Sequence, residues 1–226
     1  MVKFTPFHDR LAAYNETHLW SHWSGYLWAE KYQISEKFEY FAIRNSAALI
    51  DTSPLYKYSI VGRDAERFLG GVLARDIRSC RDGQAQYTIW CDDRGFIVED
   101  GVVLRKTSNE FLLSAAEPNL AYLQDLVGRD RVEITDVSAD FGALAVQGPR
   151  SRELLMKLAP EVEHLKYFHH MPINIGHVAV TVSRTGYTGD LGYELWVDRG
   201  DAIEMFDTVV EASHGMGVIP AGGQAC

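Results

Sequence analysis

Alternation of apolar and polar positions is clearest in the last third of the chain. Over 177–182, Val178, Val180 and Val182 fall on one side of an extended segment. Tyr193, Leu195 and Val197 repeat the pattern after a short interruption and leave Glu194 and Trp196 on the other side. The interruption is punctuated by Gly186, Gly189 and Gly192, which permit positive φ and close backbone approach. A tight strand connection and a docked flat ring would each require such residues. Upstream, 141–147 reads as a strand, followed by the turn Gly148-Pro149 and a helix to Leu158. Helical spacing returns over 201–213 and is ended by Gly215.

The middle of the chain has a readable order. Residues 56–61 alternate as a strand and 64–74 have helical spacing. Strands follow over 84–91 and 96–105 around the turn 92–95, then over 110–115. Pro118 suits the first position of a helix ending at Gly128, and 132–137 adds a last strand. Strand, helix, strands, helix, strand predicts a ferredoxin-like split βαβ domain over 54–138, an antiparallel sheet with helices on one face. Residues 1–53 are rich in aromatics and mostly helical in pattern, with Ser35 as an N-cap. Their aromatic cluster reads chiefly as core, and they are expected to pack with 139–226 into one discontinuous domain. The predicted class is α+β.

Composition narrows the function classes. With 226 residues and 46% hydrophobic content the chain supports one large or two small cores. A net charge of -9 and the lack of a basic stripe argue against nucleic acid. No apolar run reaches the roughly 18 residues of a membrane span, and no secretory leader is evident. Cys80, Cys91 and Cys226 have no paired spacing, which fits reduced thiols, so a cytoplasmic protein is expected. No metal site is expected, since His18 and His22 would share a helix face but lack a third ligand.

Among acids, Asp100 stands out, because period 2 places it with the apolar Val98, Val102 and Leu104. A carboxylate there needs a hydrogen-bonding partner. Glu99 is expected to point the other way, into solvent.

Ser183-Arg-Thr-Gly-Tyr-Thr-Gly-Asp-Leu-Gly-Tyr-Glu-Leu195 resembles the signature of the glycine cleavage system T-protein (aminomethyltransferase) family. Further matches follow in the family's order: Ile50-Asp-Thr-Ser-Pro54, Gly83-Gln-Ala-Gln-Tyr-Thr-Ile-Trp90 with Gly95-Phe-Ile-Val-Glu-Asp100, and Ala145-Val-Gln-Gly-Pro149. The resemblance covers nearly the whole chain and the first two of the family's three domains. The family's C-terminal β-barrel is expected to be absent.

The resemblance implies a tetrahydrofolate-dependent one-carbon (aminomethyl or methyl) transferase acting on a small amine or related methylated donor. It assigns Asp100 as the catalytic carboxylate. Tyr87, Ser114, Phe168, Tyr187 and Glu194 take positions that contact the folate, with Glu194 accepting from the pterin's N–H groups and Tyr187 stacking on its ring. The chain departs from the pattern where Glu99 replaces an aspartate, Ser114 an asparagine, Phe168 a tyrosine and Pro54 a histidine. These departures favour a donor other than that of the glycine cleavage complex and count against a lipoyl carrier protein as partner. Demethylation of a thioether or aryl ether, and a non-catalytic folate-binding regulator, are the alternatives.

Overall fold

The structure, a computed structural model, describes residues 2–226. The chain opens with α1 (His8–Ala12), the hairpin β1 (Trp20–Trp23) and β2 (Tyr26–Ala29), α2 (Glu36–Asn45) and β3 (Ala47–Asp51). Next come β4 (Tyr56–Val61), α3 (Ala65–Val72), β5 (Ala85–Cys91), β6 (Ile97–Thr107), β7 (Glu110–Ala115), α4 (Leu120–Asp125) and β8 (Glu133–Asp136). The last stretch holds β9 (Phe141–Gln147), α5 (Ser151–Leu158), β10 (His170–Ile175), β11 (Val178–Ser183), β12 (Gly192–Asp198), α6 (Ala202–Ala212) and β13 (Val218–Pro220). The fold is α+β.

Packing divides the chain into two units. The first comprises the residues up to Pro54, Asp140–Tyr167 and Met171–Cys226; the second comprises Leu55–Ala139 with Phe168–His170. In the first unit a six-stranded sheet runs in the order β10-β11-β12-β9-β3-β13. One face packs Val178, Val180, Val182, Tyr193, Leu195 and Val197 against α5 and α6 through Leu154, Leu155, Met205, Phe206 and Val209. The opposite face carries Ile50 and Ala145 against Ile43 of α2. Covered on both sides, β3 is buried at every position, which is why its sequence shows no alternation.

The second unit is an antiparallel five-stranded sheet, order β5-β6-β7-β4-β8. This is the split βαβ arrangement read from the sequence, with three strands between the two helices. Tyr58, Trp90, Val103, Phe111 and Leu113 build its core with Phe68 and Leu69 of α3 and Leu123 of α4.

The N-terminal region corrects an expectation. Residues 20–29 form a hairpin and not a helix, because Ser24 and Gly25 both take positive φ (50° and 80°) and close a two-residue turn. Accordingly, His18 and His22 do not share a helix face: His18 sits in a loop at φ 53° and His22 in β1. Ser35 does cap α2, its hydroxyl accepting the Lys37 N–H. Pro118 is not helical; α4 starts at Leu120 because the Asn119 N–H is donated to Tyr58 Oη at 2.7 Å and its side chain accepts from Trp90 Nε1 at 3.1 Å. Among the described residues no helix is long and apolar enough to cross a membrane.

Candidate functional site

In the second unit the pairing register brings three of the expected residues onto one face of the sheet. Tyr87 lies opposite Val102, Val102 opposite Ser114, and Asp100 opposite Ile89. Directly opposed residues share a face, so Tyr87, Asp100 and Ser114 all project away from the side that carries Trp90, Val103 and Leu113. Tyr87 Oη donates to Asp100 Oδ2 at 2.6 Å. That bond is the partner an acid among Val98, Val102 and Leu104 requires. It also holds the Tyr87 hydroxyl pKa above its ordinary value, since the carboxylate stabilises the protonated phenol. Asp100 Oδ1 has no hydrogen-bond partner among the described residues.

Ser114 Oγ donates to the Val102 carbonyl at 3.2 Å, so its hydroxyl is spent within the sheet. Phe168 takes φ 53°, and its carbonyl accepts the Ala85 N–H at 2.8 Å, fixing its backbone two residues before Tyr87 in β5.

Glu99 is a correction. It is 9% exposed, not solvated. Its position in β6 shares the Trp90 side, where the helices cover the sheet. There Oε1 accepts the Asp100 N–H and Oε2 the Glu117 N–H, both at 2.8 Å. Two backbone donors satisfy the buried charge and tie β6 to the loop before α4.

In the first unit the glycine-punctuated segment folds around Gln147, which is fully buried in β9. Its Nε2 donates to the carbonyls of Thr185 (3.3 Å) and Tyr193 (3.2 Å), and its Oε1 accepts from Thr188 Oγ1 at 2.9 Å. A Cβ at Gly186 or Gly192 would come within 2.2 and 2.1 Å of Gln147 Oε1, so these two glycines are needed for close approach. Gly189 alone of the three takes positive φ, 78°. Arg44 of α2 braces the segment, donating to the Thr188 carbonyl at 2.7 Å and pairing with Asp190.

This clasp presents Glu194. The carboxylate is 7% exposed, and its Oε2 accepts from the Thr185 hydroxyl. Thr185 Oγ1 is 2.7 Å from Ser183 Oγ, which accepts from Trp196 Nε1 at 3.2 Å. The carboxylate only accepts, so Thr185 donates to it and Ser183 to Thr185, a relay of donors ending on the acid.

Tyr187 lines a hollow of about 460 Å³ within this unit, with Trp23, Trp28, Glu30, Gln224 and Cys226 among its other walls. Its hydroxyl donates to Cys226 Sγ at 3.5 Å. Burial of the hydroxyl, then Cys226 and Glu194, push its pKa up, so the phenol stays a donor at neutral pH although the ring is half exposed. Gln147, Thr185 and the tryptophan walls escape a reading of the sequence. The Ser24-Gly25 pair between alternating aromatics was the available signal for the hairpin that carries Trp23 and Trp28.

The GCVT N-terminal domain model matches residues 7–226. The aminomethyltransferase of Thermoanaerobacter pseudethanolicus is 32% identical over 98% of this chain and 61% of its own length. The trimethylamine-oxide aldolase of Ruegeria pomeroyi is 32% identical over all of this chain and 30% of its own length. The crystal structure of the glycine cleavage system aminomethyltransferase T from Bartonella henselae superposes with a TM-score of 0.86 at 20% identity, over 98% of this chain and 60% of that one. The chain thus spans about three fifths of the length of the aminomethyltransferases it matches. By the family match and these relatives, the chain belongs to the glycine cleavage system T-protein (aminomethyltransferase) family.

Proposed function

We propose that this chain carries residues of a tetrahydrofolate-dependent one-carbon transferase that acts on an amine or related methylated donor. The observation that carries the reading is the Tyr87–Asp100 pair. Tyr87 occupies Oδ2 and leaves Oδ1 to accept an N–H and to take or give a proton. The buried Glu99 beside Asp100 has both oxygens occupied by backbone N–H groups.

The residues present fit a reduced folate. Glu194, backed by the hydroxyls of Thr185 and Ser183, is an acceptor for the paired N–H donors of a pterin. Tyr187 offers a ring face for a flat heterocycle. When bound, tetrahydrofolate supplies the secondary amine nitrogen that receives the one-carbon unit. In this reading, within the second unit Asp100 holds or moves the proton at Oδ1 and Tyr87 orients it; within the first, Glu194 and Tyr187 are the groups suited to a pterin. Phe168 and Ser114 are the second unit's further candidates for folate contact.

The name of the Ruegeria relative, which refers to an oxidised methylated amine, supports a donor of that type. Asp100→Asn in the full-length protein tests the assignment. Tetrahydrofolate-dependent demethylation of a methylated amine should fall by about 10²–10⁴-fold, as loss of a proton-transferring group does, while tetrahydrofolate binding persists. Undiminished turnover would refute it.

A further inference from the structure

The hollow beside Tyr187 has walls that the folate assignments leave unused. Trp23 and Trp28 meet edge to face with centroids 4.9 Å apart at 70°, so their ring faces point in different directions. Trp28 is held by its Nε1 donating to the Asp51 carbonyl at 2.8 Å. Gly223 lies against the edge of its six-membered ring, where a Cβ would approach Cζ3 to 2.4 Å and Cη2 to 2.5 Å. Tyr187 adds a third ring. Glu30 is the one acidic residue of the lining, and its backbone carbonyl accepts the Gln224 N–H at 3.0 Å. No lysine or arginine lines the hollow among the described residues.

Aromatic faces around one acidic residue, with His22 as the single basic residue of the lining, suit a diffuse cation. A methylated ammonium spreads its charge over C–H groups, binds ring faces and lacks the donors that a hydrogen-bonding site would use. An uncharged apolar guest would instead leave Glu30 desolvated without a counter-charge. We propose that this hollow binds the methylated ammonium group of the one-carbon donor, with Trp23 and Trp28 as the aromatic walls and Glu30 as the counter-ion. The proposal rests on the one-carbon transferase reading and adds to it the site and charge of the donor.

Choline and its uncharged isostere 3,3-dimethylbutan-1-ol are the probes, titrated against the tryptophan fluorescence of the full-length protein. Choline should saturate the signal and bind at least about tenfold more tightly than the isostere, as cation–π and charge contributions of this size imply. Glu30→Gln should reduce that preference severalfold and Trp23→Leu should weaken choline, both with tetrahydrofolate affinity kept. Equal affinity for the two probes, or tetrahydrofolate binding without choline binding, would overturn the proposal. Choline binding without tetrahydrofolate binding would uphold the hollow and overturn the folate reading. Binding of neither would remove both.

Discussion

Glu99 and Asp100 are adjacent acids with opposite fates, because successive strand residues face opposite sides. Glu99 is locked under Glu117 and Asp100 is left half open beside Tyr87. Glu99→Gln would set an amide N–H₂ against a backbone N–H, and should cost about 1–3 kcal/mol of stability in urea unfolding. The Tyr87 hydroxyl gives a second check. Asp100 raises its pKa by accepting its hydrogen bond, so Asp100→Asn should lower that pKa towards the ordinary tyrosine value, visible in a ¹³Cζ NMR titration. Asp100 was legible from alternation and from the family pattern. The place of Glu99 was not, because a strand's own sequence does not say which of its faces the helices of the unit will cover.

The same distinction recurs among elements. The Gly-Tyr-Thr-Gly segment is punctuated by glycines for two different physical reasons, and only Gly189 serves a positive φ. Gly186→Ala or Gly192→Ala would force the Gln147 side chain from its buried bonds to Thr185, Tyr193 and Thr188. Each should destabilise the protein by about 1–3 kcal/mol in thermal melts. Paired with Gln147→Ala, either substitution should cost less than the sum of the singles. The strands β9, β11 and β12 were readable because their alternation meets a one-sided core. By contrast β3, buried on both faces, and the β1–β2 hairpin, whose aromatics mimic a helical stripe, were hidden from periodicity.

Over the whole chain, order of elements and residue class carried more than local detail. The split βαβ order of the second unit followed from alternating segments and turn residues, and the resemblance supplied the family. Each unit has its own hydrophobic core, and tyrosines sit in both. Burial raises the Tyr58 hydroxyl to about 12, and Tyr32 and Tyr193 are raised as well. A folded pKa above the unfolded one favours the fold below pH about 10 and loses that contribution as pH climbs through the folded value. Tyr58 alone corresponds to roughly 3 kcal/mol, so stability measured by urea unfolding should decline between about pH 10 and 12, and Tyr58→Phe should flatten part of that decline.

The carboxylate at position 194 has lone pairs to offer and no proton to give, so it fixes the sense of everything upstream. Thr185 gives its one hydrogen to the acid and must take that of Ser183 in turn, while Ser183 Oγ receives the indole proton of Trp196. Polarity is thereby written into the motif by its own acid. With phenylalanine at 196 Ser183 Oγ would lose the indole as a donor, while Thr185 would still serve the carboxylate.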